Sequence, residues 1–210
     1  GSGSSLPDLL TDAAGTLFFV ATTAAEGTEL WKSDGTAVGT VLVKDIRPGA
    51  TSSSPTWLTS VGTTLFFAVD DGVNGLELWK SDGTTAVTAM VKDIYPGVAG
   101  SFVQHLAGLG GTLYFNAMTA TNGAELWKSD GTAAGTVLVK DINPGNAQSA
   151  PSYLTAVGST LFFSAYEPVA GTELWMSDGT PAGTVLVKDI RPGTGLSTPD
   201  LLTAAGGRLF

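Results

Sequence analysis

The chain has 210 residues, 43% hydrophobic and 14% charged, with net charge −9 from 10 basic and 19 acidic residues. That composition is globular and long enough for a sizeable core, and its acidity offers no basic cluster for nucleic acid or anionic lipid. No apolar run approaches the roughly 18 residues of a membrane span, and a chain without cysteine has no disulfide, thiolate chemistry or cysteine-held metal.

In chain order, the first 18 residues are a preview. They align without gaps onto residues 193–210, and Gly1 falls in phase with Gly49, Gly97, Gly145 and Gly193. Between these ends the string ELWKSDGT stands at residues 29–36, 77–84 and 125–132, and returns at 173–180 with Met176 for lysine. The spacing is 48 residues with no insertion. A period of 20–50 residues marks one supersecondary unit copied along an array. The repeats are therefore 1–48, 49–96, 97–144 and 145–192, with a partial fifth at 193–210, in one array spanning 1–210. The phase of Gly1 and the arrest at Phe210 inside a strand lead to the expectation of an arc cut from a longer array.

The second repeat serves as the pattern. Residues 57–61, 65–69, 76–80 and 88–94 read as four strands, β-branched and aromatic, joined by short connections. Asp82-Gly83 is a hairpin signal, since glycine tolerates positive φ and aspartate bonds nearby amides. Pro96 ends the fourth strand because proline cannot donate to a ladder. No stretch has sustained helical periodicity. Three hairpins and one longer return describe a four-stranded blade, so the expected fold is all-β, a β-propeller of antiparallel blades breaking near each Gly49-type glycine. A parallel β-helix is the runner-up. Pairs such as Phe66-Phe67 and Tyr114-Phe115 suit burial on both faces of a blade.

The string ELWKSDGTxxGTxLVKDIxPG resembles the bacterial ELWxxDGT repeat family, also labelled hyalin-like. Nearly the whole chain carries the resemblance; Val87 departs, where Gly39, Gly135 and Gly183 stand in the other copies. It implies a propeller-type array in secreted or cell-surface bacterial proteins, and brings no activity.

Sites are weighed against structural uses. The SDGT turns hold oxygen-bearing residues, yet calcium wants six to eight oxygens; a hairpin explains them, and calcium stays a weak alternative to having no cofactor. Glu29 and Lys44 recur in every copy. If strands three and four pair about a turn near Asp34, Glu29 faces Lys44 as a cross-strand ion pair and Trp31 faces Leu42. His105 is the lone histidine, and no catalytic triad, phosphate loop or zinc cluster is present. The chain is therefore expected not to be an enzyme.

Variation between copies marks the candidate ligand contacts. One first-strand position reads Leu9, Trp57, His105, Tyr153 and Leu201, and the second hairpin loops include Asp70, Asp71 and Tyr166. A constant scaffold with varied loops suits display; drift at unconstrained positions gives the same pattern. The expectation is an extracellular or cell-surface scaffold for protein or glycan contact and adhesion. A lectin-like binder with sites between blades is the alternative, and a propeller hydrolase the least favoured. Partners are a second copy, further blades, or a protein or glycan ligand.

Overall fold

The computed structural model describes residues 4–210, so the place of Gly1 lies outside the described residues. All regular structure among them is β. The first blade is β1 (Asp8–Ala13), β2 (Thr16–Thr23), β3 (Gly27–Ser33) and β4 (Val41–Lys44). The second is β5 (Thr56–Val61), β6 (Thr64–Asp70), β7 (Leu76–Ser81) and β8 (Ala89–Lys92). The third comprises β9 (Gln104–Leu109), β10 (Thr112–Thr119), β11 (Gly123–Ser129) and β12 (Val137–Lys140). The fourth comprises β13 (Ser152–Val157), β14 (Thr160–Glu167), β15 (Gly171–Ser177) and β16 (Val185–Lys188). A short hairpin, β17 (Ala204–Ala205) with β18 (Arg208–Leu209), begins the fifth copy. Each four-stranded sheet is an antiparallel meander in sequence order.

Contacts gather these blades into two compact units, Gly1–Phe102 and Val103–Phe210. In the first unit, Phe18, Leu30, Val43 and Ile46 of one blade are buried against Leu65, Phe67, Val69 and Trp79 of the next. The second unit repeats this, with Tyr114, Leu126, Val139 and Ile142 against Leu161, Phe163, Ala165 and Trp175. Within each unit the facing sides of the two blades are thus apolar because each meets the neighbouring sheet. The Trp79 and Trp175 rings lie at these seams.

The Glu–Lys pairing is a correction. Trp31 does face Leu42, but Leu30 rather than Glu29 faces Lys44. One extra residue in β4 shifts the register, a bulge that increases twist and re-aims the side chains beyond it. Lys44 instead reaches the next blade, donating from Nζ to the Thr88 carbonyl (2.7 Å) and lying 5.6 Å from the Trp79 ring centroid. Lys140 does the same toward Thr184 (2.7 Å) and Trp175 (5.8 Å).

Freed from lysine, each glutamate clamps backbone. Glu29 is fully buried and accepts from the Ile46 amide (3.1 Å), the Ser53 amide (3.0 Å) and the Ser53 hydroxyl (2.6 Å). Glu77 and Glu125 make the same bonds to Ile94 and Ser101, and to Ile142 and Ser149. The fourth strand is therefore shorter than the expected 88–94, since the Ile94 amide turns out of the ladder toward Glu77. Burial pushes Glu29, Glu77 and Glu125 above the ordinary carboxylate value, against the serine and amide bonds that favour the charged form.

The SDGT turns close on themselves. In the first, Asp34 Oδ1 accepts the Thr36 amide (2.9 Å) and hydroxyl (2.7 Å), while Ser33 Oγ accepts the Gly35 amide (3.0 Å) and bonds Thr40 Oγ1 (2.7 Å). Those bonds hold Asp34, Asp82 and Asp178 below their ordinary range. A Cβ on Gly39 would stand 2.0 Å from that carboxylate. Val87 fills the equivalent place in the second copy, which keeps its turn with a longer Val87 to Thr84 bond, 3.3 Å against 2.9 Å at Gly39.

Candidate functional site

The varied first-strand position is set by backbone geometry. In β5, Thr56 faces Ala68 and Thr59 faces Phe66, so three steps on one strand match two on the other. The same offset occurs in β1, β9 and β13. Such a bulge leaves a residue unpaired and turns it out of the pleat. Here that residue is left-handed in every copy: φ is +54° at Leu9, +56° at Trp57, +54° at His105, +55° at Tyr153 and +49° at Leu201. None is glycine, though left-handed backbone disfavours side chains.

A hydroxyl two residues on holds the bulge. Thr59 Oγ1 donates to the Trp57 carbonyl (3.0 Å), and Thr11, Thr155 and Thr203 do the same to Leu9, Tyr153 and Leu201. The third copy has Ala107 there, so His105 lacks this clamp. Trp57 and Tyr153 are each 40% exposed, whereas the three phenylalanines and four leucines of the seams are buried almost completely.

In the first unit, β1 and β5 lie side by side, and a cavity of about 570 Å³ opens between them. Leu9, Leu10, Trp57 and Leu58 form its apolar wall, and Thr11, Thr56 and Thr59 its polar edge. In the second unit, His105 and Tyr153 stand ring to ring with centroids 6.1 Å apart and planes tilted by 46°. Burial holds the imidazole below its ordinary value, so it is neutral at pH 7.

The remaining expected contacts are hairpin residues. Asp70 accepts the Gly72 amide (2.7 Å) and lies 3.8 Å from Arg47. Asp71 accepts the Val73 and Asn74 amides and the Asn74 side chain, bonds that outweigh burial and hold its carboxyl below the usual range. Both carboxylates are thus engaged by their own turn. Tyr166 donates its amide to the Ser149 carbonyl (2.8 Å), fixing its hairpin beside the start of β13. Sequence reasoning singled out Trp57, His105 and Tyr153 as one varied position, each of which has left-handed backbone, and missed Leu10 and Leu58 beside Trp57. The apolar residue before each clamping threonine, Leu10 or Leu58, was the signal available.

Comparison with solved structures fixes the architecture. A puromycin hydrolase superposes on 97% of this chain with TM-score 0.58 at 18% identity. The fold is a β-propeller. A puromycin-hydrolyzing peptidase of Mycobacterium tuberculosis covers 91% with TM-score 0.58 at 15% identity, and an acylaminoacyl peptidase of Pyrococcus horikoshii 87% with TM-score 0.54 at 11% identity. The chain spans only 32%, 30% and 27% of those proteins, respectively. At such identities the likeness concerns fold alone. No family model and no curated protein matches the sequence.

Proposed function

We propose that this chain is a non-enzymatic propeller scaffold, extracellular or on a bacterial surface, that makes protein or glycan contacts through its first strands. The observation that supports this is the bulge: a repeated backbone device presents one varied side chain per copy on an otherwise constant sheet. Binding residues on rigid elements lose little entropy on contact. The hydrolytic activities named for the structural neighbours stay with those proteins. Here the repeated carboxylates are occupied in clamps and turns, and His105 stands beside Tyr153.

A lectin-like mode is favoured by the cavity beside Trp57, where an aromatic wall meets a threonine edge. The test is an array of glycans and purified extracellular proteins, probed with the parent chain and with Trp57→Ala, His105→Ala and Tyr153→Ala combined. Binding that falls at least tenfold in the triple variant, at unchanged melting temperature, supports the proposal. Absence of binding, or equal binding by the variant, overturns it.

A further inference from the structure

Two faces of the repeat that are covered in other copies are bare in the first and the fourth. Within each unit the contact between blades follows one pattern. The blade earlier in sequence presents Val43 and Ile46, or Val139 and Ile142, all at 7% exposure or less. Their counterparts in the fourth blade, Val187 and Ile190, are 43% and 53% exposed. The later blade presents Leu65 or Leu161, both fully buried. The counterpart in the first blade, Leu17, is 36% exposed.

The polar half of the pattern is bare at the same two places. Lys44 and Lys140 donate to the Thr88 and Thr184 carbonyls of the later blade, and those threonines are fully buried. Lys188 of the fourth blade and Thr40 of the first are both exposed. Lys128 adds a bond to the Gly179 carbonyl (2.9 Å). Carried forward by the 48-residue period, these bonds would pair Lys188 with Thr40 and position 176 with Gly35. The fourth blade thus holds one half of a seam and the first blade the other half. Apolar surface left in water draws a partner of matching shape.

We propose that the fourth blade of one chain docks on the first blade of a second copy, in the register of the seams within each unit. Val187 and Ile190 pack toward Leu17 and Trp31 of the second copy, and Lys188 donates from Nζ to its Thr40 carbonyl. The contact is heterologous, so a pair of chains still carries one bare face of each kind, and addition continues until the rotation closes. The β17–β18 hairpin holds the place of the incoming β1–β2: Thr155 Oγ1 donates to the Leu202 carbonyl (3.0 Å) as Thr11 Oγ1 does to the Leu58 carbonyl (3.5 Å). Residues 193–210 align with 1–18, so the incoming copy replaces that hairpin with its own counterpart and brings β3 and β4 as well. Ala204, Ala205 and Arg208 are exposed, so releasing the hairpin costs little buried surface. This contact is independent of any ligand at the first strands.

The test is the association state of the full 21.3 kDa chain, followed by light scattering and sedimentation. The parent should associate as concentration rises. Ile190→Asp and Leu17→Asp each put a charge on one face, at a side chain already exposed, and circular dichroism checks that both stay folded. Each variant alone should be monomeric. Mixed in equal amounts they should form a pair and nothing larger, because each keeps the face the other has lost. Met176→Lys should tighten association of the parent by at least about threefold, the scale of one added hydrogen bond. A parent that stays monomeric to about 100 μM, whether its faces are unmatched or closed within one chain, overturns the proposal. Association that survives both aspartates, or variants that fail to pair when mixed, means a different surface and overturns it too. Unchanged or weaker association of Met176→Lys overturns the register, and the proposal with it.

Discussion

Replacing Glu125 by glutamine tests the clamp that ties each blade to the crossing segment. The Glu125 carboxylate accepts four bonds: Oε1 takes the Asn143 amide (3.3 Å) and the Ser149 amide (3.0 Å), Oε2 the Ile142 amide (2.9 Å) and the Ser149 hydroxyl (2.5 Å). Glutamine keeps one acceptor oxygen and turns two donors toward the other pair. The Ser149 hydroxyl can rotate to accept one of them, but the backbone amide beside it is left facing a donor. Bonds to a charged group contribute about 1.5–3 kcal/mol each, and a stranded buried donor costs about 1–3 kcal/mol. Removing a buried charge returns part of this, so the expected net loss is roughly 2–4 kcal/mol. Urea unfolding followed by fluorescence measures it, with hydrogen exchange to locate it. Protection should fall first at Ile142 and Ser149, while the paired amides of β10 stay protected. A loss below about 0.5 kcal/mol would show that the clamp adds no more than an ordinary surface contact, and would refute the reasoning.

Gly123→Ala should destabilise far more than Gly111→Ala. Both glycines have positive φ, but a Cβ at Gly123 would stand 2.0 Å from the Ala147 carbonyl oxygen, whereas Gly111 opens onto free space; thermal melts should give about 1 kcal/mol for the latter and at least about 3 kcal/mol for the former. Ala107→Thr should stabilise by about 0.5–1 kcal/mol, since it supplies the hydroxyl bond that the other copies make to the bulge carbonyl; no gain in urea midpoint would mean the bulge needs no clamp. Stability should also depend on pH in two opposed ways. Asp34, Asp82 and Asp178 titrate below 3.8 when folded, so their contribution is present above 3.8 and lost as pH falls through the lowered value. Glu29, Glu77 and Glu125 titrate above 4.5 when folded, so the folded state binds protons more tightly and stability falls as pH rises from 4.5 through the raised value. Urea midpoints across this range should therefore peak between the two values, and a steady rise from pH 4.5 to 7 would contradict it.

The period, the four strands and the buried aromatic pairs were legible because they depend on local pattern and composition. Each Phe66-type pair announces a strand buried on both faces, and Asp82-Gly83 announces its hairpin. The register was half legible. Counting from the turn places Trp31 opposite Leu42 correctly, but the bulge that follows is set by how β4 meets the next blade, and nothing local to Glu29 or Lys44 encodes it. The phase of Ser53, Ser101 and Ser149 was visible in the sequence, and only the fold reveals that these serines meet the glutamates of the preceding copy. The varied position at Trp57 and Tyr153 was legible as variation. Its left-handed backbone was not, because residues other than glycine give no sequence sign of positive φ.

The clamps and lysine bridges join residues at fixed offsets: 17, 18 and 24 for the glutamate bonds, 44 for the lysine bond. Within each unit these offsets carry bonds from one copy into the next, and a single copy alone would leave its glutamate and lysine half satisfied. Unfolding one repeat therefore strips bonds from its neighbour, which makes the array a chain of coupled nearest neighbours with weak members and strong links. A gene segment of 48 codons, cut at any phase and inserted in tandem, regenerates every one of those links. The architecture has no privileged point of duplication, and copy number can change without the invention of a single new contact.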